Sequence, residues 1–177
     1  MLECNEIQSG FVCLKPYTQE HCAQTVIWLC SEDIANTFGI TYKVTEKSHA
    51  DWLVLQNNLI MWAIYSNDIY VGNTSLRIIP RHKKAYFEIY IGDDTCRGKG
   101  VGKAALCLVI DYGFNVLGLN RIYLYTHVAN QAANNLYQKV GFVREGIERQ
   151  ALLTAEGQFK DQIMWGLLHK DWEGFNG

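Results

Sequence analysis

The stretch Arg97-Gly98-Lys99-Gly100-Val101-Gly102-Lys103 packs three glycines and three cations into seven residues, ahead of an apolar run. Glycine lets a backbone pass close to an anion, and the first amides of a helix have no partner inside it. The helix dipole adds positive potential at the same end, so a loop of this kind can seat a phosphate. Two well-known phosphate loops do not fit. A Walker loop, G-x-x-x-x-G-K-[ST], needs glycine where Arg97 stands and a magnesium-binding hydroxyl where Ala104 stands. A dinucleotide fingerprint, G-x-G-x-x-G, places its third glycine at Lys103, and the loop follows antiparallel strand signals instead of lying inside a βαβ unit. The pattern that fits is R-x-x-G-x-G, a metal-free clasp for a pyrophosphate with Arg97, Lys99 and Lys103 around its mouth. A solvated strand-to-helix turn is the plain alternative, and the loop alone leaves both open.

A second motif lies about thirty residues downstream. "VANQAANNLYQKVGFVREG", Val128–Gly146, contains N-x-x-A-x-x-L-Y-x-K-x-G-F. With R-x-x-G-x-G in that order, it resembles the GNAT superfamily of acetyl-CoA-dependent N-acetyltransferases over nearly the whole chain. The resemblance implies that Arg97, Gly98, Lys99, Gly100, Val101, Gly102 and Lys103 bind the pyrophosphate of coenzyme A. It implies a pantetheine arm in a gap between splayed central strands, touched by Asn130, with Asn135 and the backbone of Ile89, Tyr90 and Ile91 also at the cofactor. It places Tyr137 near the coenzyme A sulfur. Ala133 stands where many relatives have serine, so one polar contact is expected to be missing.

Amide formation from a thioester needs a neutral amine, an oriented attack, donors for the developing oxyanion and stabilisation of the leaving thiolate. An alkylammonium holds its proton up to pH ~10.4, so a base or water must remove it. Tyr137 is the general-acid candidate, because a phenol is protonated at neutral pH; tyrosine in a short amphipathic helix is otherwise a core residue. Glu88 is the base candidate. In "AYFEIYIG", Tyr86, Glu88 and Tyr90 share one face and Phe87, Ile89 and Ile91 the other. Many relatives carry this glutamate one or two positions earlier, at the places of Tyr86 and Phe87, so a merely solvated Glu88 is the competing reading. His127 can also take a proton near neutrality, though a satisfied structural histidine is the favoured reading. By family analogy the amides of Ile89–Ile91 serve the oxyanion, freed by a local bulge. Cys96, beside the loop, is the one cysteine placed to react, but far from the thioester. Trp28, Trp52 and Trp62 read as core or acceptor-pocket wall.

These residues need elements to position them. Gly10–Thr18 reads as a strand, "TQEHCAQTVIWLCSEDI" as a helix capped by Thr18, and "TEKSHADWLVLQNN" as a helix with Thr45 or Ser48 as cap. "LIMWAIYS" and "IYVGNTSLRII" form a hairpin around "SND", and "AYFEIYIG" follows the "RHKK" turn. Val101–Leu117 is an amphipathic helix ended at Gly118, "RIYLYTHV" a strand, and "NQAANNLYQKV" a short helix closed by Gly141. The tail is a long hairpin with "AEG" at its tip. The predicted class is α/β (α+β): a mixed, mostly antiparallel sheet of about seven strands with about four helices in a single GNAT-like domain over residues 1–177.

The chain has 177 residues, 49% of them apolar and 19% charged, with a formal net charge of −2. That composition suits a soluble globular domain and forces no basic face for nucleic acid. The acidic N-terminus has no apolar signal core and no run reaches membrane-span length, so a cytoplasmic protein with no membrane partner is expected. Six cysteines show neither C-x-x-C nor zinc spacing, so they are expected reduced and no metal is called for. The partners expected are acetyl-CoA and an amine acceptor, with a homodimer the ordinary prior.

The branch resembled contains ribosomal-protein alanine, spermidine and nucleotide-amino-sugar acetyltransferases. The acceptor pocket falls to "IANTFGITYKVTEKSH" and "RQALLTAEGQFKD". A polyamine would use Glu32, Asp33, Glu46 or Asp51, diluted by Lys43 and Lys47. A nucleotide sugar would use Arg77, Arg81, His82, Lys83 or Lys84 with Tyr86. A small-molecule amine is favoured, an amino-sugar nucleotide slightly ahead of a polyamine. A protein N-terminus is the alternative, and a non-catalytic acetyl-CoA-binding module the alternative of another class.

Overall fold

The computed structural model describes residues 1–174. Its strands are β1 (Ile7–Ser9), β2 (Val12–Pro16), β3 (Leu59–Ser66), β4 (Ile69–Ile79), β5 (Lys84–Ile91), β6 (Arg121–His127), β7 (Val143–Leu153) and β8 (Phe159–Leu168). Its helices are α1 (Cys22–Leu29), α2 (Glu32–Phe38), α3 (Glu46–Val54), α4 (Val101–Asp111) and α5 (Gln131–Val140). One mixed sheet takes all eight strands in the order β1-β2-β3-β4-β5-β6-β8-β7. Seven were expected. The extra one is β1, three residues folded back on β2 through Gly10 at φ 56°.

Local signals set most boundaries. Asn67 and Asp68, at φ 48° and 64°, make the tight primed turn that joins β3 to β4. Thr45 caps α3 and exchanges hydrogen bonds with Ser48. The single helix expected from Thr18 onward breaks in two. The Ser31 hydroxyl donates to Trp28 O at 2.7 Å, and Ser31 turns extended to start α2. α4 runs on into a π-helical turn, Tyr112–Val116, before Gly118 at φ 62°.

α4 covers one face of the sheet. Leu106 and Ile110 pack there with Ile60, Trp62, Leu76, Phe87, Ile122 and Leu124, all at most 1% exposed. Full burial of each such side chain contributes roughly 1.5–3 kcal/mol. The other face carries a smaller core, Tyr17, Leu53, Leu59 and Met61, beside a buried polar network. There Thr25, Tyr70 and Asn73 bond one another, and Tyr17 and Tyr90 join them.

The sheet is antiparallel everywhere except between β5 and β6. Those two strands pair only over Lys84–Tyr86 and Arg121–Tyr123. Beyond that they part, and the expected splay is present. Among the described residues no helix is long and apolar enough to cross a membrane.

Candidate active site

The parting of β5 and β6 opens a cleft of about 590 Å³. Ladder alternation shows which backbone groups face it. Gly92 N donates to Val71 O at 2.8 Å, so Tyr90 and Glu88 also turn their peptide groups toward β4. Ile89 and Ile91 therefore turn theirs toward the gap. On the far wall His169 N donates to Asn120 O and Val128 N to Asp161 O, which points the peptide groups of Tyr125 and His127 into the gap. The expected bulge in β5 is not there: register with β4 is unbroken from Lys84 to Ile91. The free amides come from the splay instead, and the Tyr90 amide is not among them. Backbone groups left without protein or water partners would cost roughly 1–3 kcal/mol each.

The glycine loop stands at the open end. Asp93 Oδ1 accepts from Thr95 N at 2.9 Å and Thr95 Oγ1 at 2.7 Å, which holds the Asp93 carboxyl below its ordinary range. Gly98 and Gly100 sit at φ 73° and 85°, a region that penalises any side chain. The amides of Val101, Gly102 and Lys103 precede the first α4 bond, Ala104 N to Gly100 O, and have no helical acceptor. Arg97, Gly98, Gly100, Gly102 and Lys103 line the cleft. Val101 buries its side chain in the core at 1% exposure, so only its amide can serve a ligand. Lys99 is exposed outside the lining, and Arg97 Nε donates to Ile91 O at 3.1 Å.

α5 supplies the far wall. Asn130 lines the cleft; its Oδ1 caps α5 by accepting from Ala133 N at 3.1 Å, which leaves its NH₂ to meet a ligand. Asn135 does not reach the cleft; it faces a second groove of about 530 Å³ with Gln131 and Gln138. The asparagine that matters structurally is Asn134, which the sequence reading passed over. It is 8% exposed, accepts from Thr126 Oγ1 and donates to the carbonyls of His127 and Val128. Trp165 Nε1 donates to Thr126 Oγ1 at 3.0 Å and completes the tie. Alternating polarity gave no warning of it, because its partners lie on a strand.

Tyr137 is 6% exposed, edge-on to Phe142 at 5.7 Å and tilted against Trp165. Burial pushes its phenol well above the ordinary value. Its hydroxyl has no protein partner among the described residues, yet it is not sealed off, and the residue lines the cleft. Glu88 lines the opposite wall. Burial pushes its carboxyl up, opposed by the Arg77 charge and the Ser75 hydroxyl. Tyr86 lies beside it, and the Tyr125 ring, also in the lining, has its centroid 5.8 Å from that of Tyr86. His127 also lines the cleft, and its Nε2 is the one buried side-chain polar atom without a partner among the described residues.

The expected acceptor segments do contribute, through Ile34, Thr37 and Phe38 of α2 and Leu152 of β7. Of the basic set Arg77 and Arg81–Lys84 with Tyr86, only Tyr86 lines the cleft. Of Glu32, Asp33, Glu46 and Asp51, only Asp33 does; Asp51 pairs with Lys47 at 2.7 Å on the surface of α3. Cys96 is half-buried at the margin. Trp62 is core, Trp52 stacks on His49, and Trp28 packs on Tyr70 behind the cleft. Among the described residues no three side chains cluster as metal ligands.

The family model for the acetyltransferase (GNAT) domain matches residues 12–143. The spermidine N(1)-acetyltransferase of Escherichia coli is 38% identical over 82 residues, 46% of this chain and 43% of that protein. The Vibrio cholerae enzyme of the same description is 40% identical over 65 residues, 37% of each chain. These matched stretches span less than half of either relative. In fold, the crystal structure of spermidine N-acetyltransferase from Vibrio cholerae with CoA and spermine is similar at TM-score 0.83, with 21% identity over 92% of this chain and 98% of that one. A ribosomal-protein-S5-alanine acetyltransferase from Vibrio fischeri gives 0.78, with 16% identity over 95% and 98%.

Proposed function

The chain belongs to the GNAT acetyltransferase family, and on that premise we propose that it transfers the acetyl group of acetyl-CoA to a primary amine by direct attack in a ternary complex. One observation carries the reading: the gap between β5 and β6 presents the peptide group of Ile89 and the N–H of Ile91, neither paired with β4, on the same cleft as the free amides that start α4. An extended amide-bearing chain ending in a diphosphate meets both sets of groups at once. The diphosphate is assigned to the Arg97–Lys103 loop, and the pantetheine to Ile89, Ile91 and the NH₂ of Asn130.

The roles of the side chains follow from their environments. A carboxyl pushed above its ordinary range is a better base at neutral pH, so Glu88 takes the proton of the acceptor ammonium, directly or through water. The amine attacks the thioester carbonyl, whose oxygen is met by gap-facing backbone N–H groups. Tyr137 keeps its proton at any neutral pH. Complete transfer from so weak an acid to a thiolate, whose thiol titrates near ~8.5, is uphill. Tyr137 therefore stabilises the leaving sulfur by donating a hydrogen bond.

The acceptor is a small cationic amine of the polyamine kind. The floor beneath the reacting centre is acidic and aromatic, Glu88 with Tyr86 and Tyr125, which suits an ammonium. The cations a sugar nucleotide would need lie outside the cleft lining. Release of free thiol from acetyl-CoA tests this with spermidine, a uridine-diphosphate amino sugar and an alanine-starting peptide. Spermidine should give the highest kcat/KM. No release with any amine, despite coenzyme A binding, would leave a binding module instead of an enzyme.

A further inference from the structure

One ion pair joins the two walls of the cleft. Arg97 Nη1, in the phosphate loop, lies 2.6 Å from Asp33 Oδ2 on α2 and 3.1 Å from Asp94 Oδ1. Its Nε is committed to Ile91 O. The guanidinium assigned to the donor's diphosphate thus already meets two carboxylates through Nη1 and a carbonyl through Nε. α2 is held further along as well. Asn36 Nδ2 donates to Glu156 Oε1 at 2.7 Å and Asn36 Oδ1 accepts from Ala155 N at 3.2 Å. Gly39, just past the helix, lies so close to the β7–β8 hairpin that a Cβ there would come within 2.8 Å of Leu152 Cδ1 and 2.9 Å of Leu153 O. The seven-residue α2 is therefore a strap from the phosphate loop to the hairpin, and Ile34, Thr37 and Phe38 line the cleft beneath it.

We infer that Asp33 is a positioning residue through which donor binding and the placement of α2 depend on each other, because Asp33 and the donor's diphosphate compete for Arg97. This rests on the reading that the Arg97–Lys103 loop holds the diphosphate. A diphosphate offers more charge and a bidentate fit, so it takes the guanidinium from the exposed carboxylates of Asp33 and Asp94, of which only Asp33 lies on α2. Asp33 then leaves the loop, while Asn36 and Gly39 keep the far end of α2 on the hairpin. The acceptor half of the cleft takes its final shape only after the donor is in place, which orders the two substrates. By reciprocity, deleting the Asp33 charge must favour the donor. An exposed pair of this kind shifts an equilibrium by about two- to fivefold.

Calorimetric titration with coenzyme A tests the sign. Asp33→Asn should bind about two- to fivefold more tightly than the wild type, and Asp33→Glu should match the wild type. The gain should shrink at high salt and vanish in an Arg97→Gln background, as a double-mutant cycle demands. Amide hydrogen exchange over residues 33–37 should quicken when coenzyme A is added to the wild type. Unchanged or weaker binding by Asp33→Asn, or slower exchange, overturns the inference. Arg97→Gln separates the two failures. If it leaves coenzyme A affinity unchanged, the phosphate-loop reading is wrong. If it weakens affinity while Asp33→Asn gains nothing, only the competition is wrong.

Discussion

Ser75 and Glu88 stand opposite each other in the β4–β5 ladder, and the Ser75 hydroxyl donates to Glu88 Oε2 at 3.5 Å. That bond is long. Arg77, one pair along on the same face, gives its own Nη1 to Gln56. Neither neighbour offsets the cost of burying the charge, so the carboxyl of Glu88 ends above its ordinary range. The same imbalance governs its catalytic and its energetic behaviour.

For catalysis, Glu88→Gln removes the base and leaves the shape. We expect kcat to fall on the order of 10²-fold with coenzyme A affinity unchanged. The acid limb of the wild-type kcat/KM profile should sit above the usual glutamate range and disappear in the variant. A steady-state pH series with a saturating amine reads both. An unaltered acid limb in Glu88→Gln would assign the base elsewhere, to His127 or a water chain.

For stability, the sign runs opposite to that of a paired carboxylate. The folded-state value of Glu88 is raised, so the native state holds its proton longer than the unfolded chain does. Its stabilising contribution is present at low pH. It is lost as pH rises from the unfolded value, ~4.3, through the folded one. Glu88→Gln should therefore melt higher than the wild type at pH 7, and the difference should narrow toward pH 4. Thermal melts at the two pH values decide it; a lower Tm at pH 7 would mean that Arg77 and Ser75 outweigh burial.

Tyr137→Phe tests the sulfur-side donor. The ring stays packed between Phe142 and Trp165, so folding and coenzyme A affinity should hold within about twofold, while kcat drops on the order of 10²-fold if the hydroxyl assists the leaving thiolate. Because the phenol is pushed up by burial, it should contribute no basic limb below pH 9–10. Single-turnover thiol release against pH measures this. Wild-type rates in the variant would remove Tyr137 from the chemistry.

Residues that act through near neighbours in sequence were legible, and those that act across the fold were not. The β3–β4 hairpin could be read to the residue, because apolar β-branched runs flank Asn67 and Asp68, which accept φ > 0. α5 was equally plain from Asn130 at its start and Gly141 at its end. β1 was missed because three residues carry no usable alternation. The break between α1 and α2 was missed because neither glycine nor proline marks Cys30–Ser31. Asn135 was assigned to the cofactor on the motif alone, while its neighbour Asn134, about 100° round the helix, holds α5 to β6. The Arg97–Asp33 pair spans 64 residues, and no local pattern encodes it.

Asn134→Ala tests whether that tie carries the far wall of the cleft. The substitution deletes a buried amide that accepts from Thr126 and donates to the carbonyls of His127 and Val128. Thr126 keeps Trp165 Nε1 as a donor but loses its acceptor, and two carbonyls near the start of α5 lose a partner. The His127 carbonyl keeps Asn130 N as a donor, so the Thr126 hydroxyl and the Val128 carbonyl are the groups left unmet, at a cost of roughly 1–3 kcal/mol. Denaturant unfolding should show a loss of that size with an unchanged m-value. The Asn130 cap and Tyr137 ride on the same helix, so coenzyme A affinity and kcat should both fall, unlike the kcat-only effect of Tyr137→Phe. Full stability in Asn134→Ala would mean that the Asn130 cap and the Phe142 packing hold α5 by themselves.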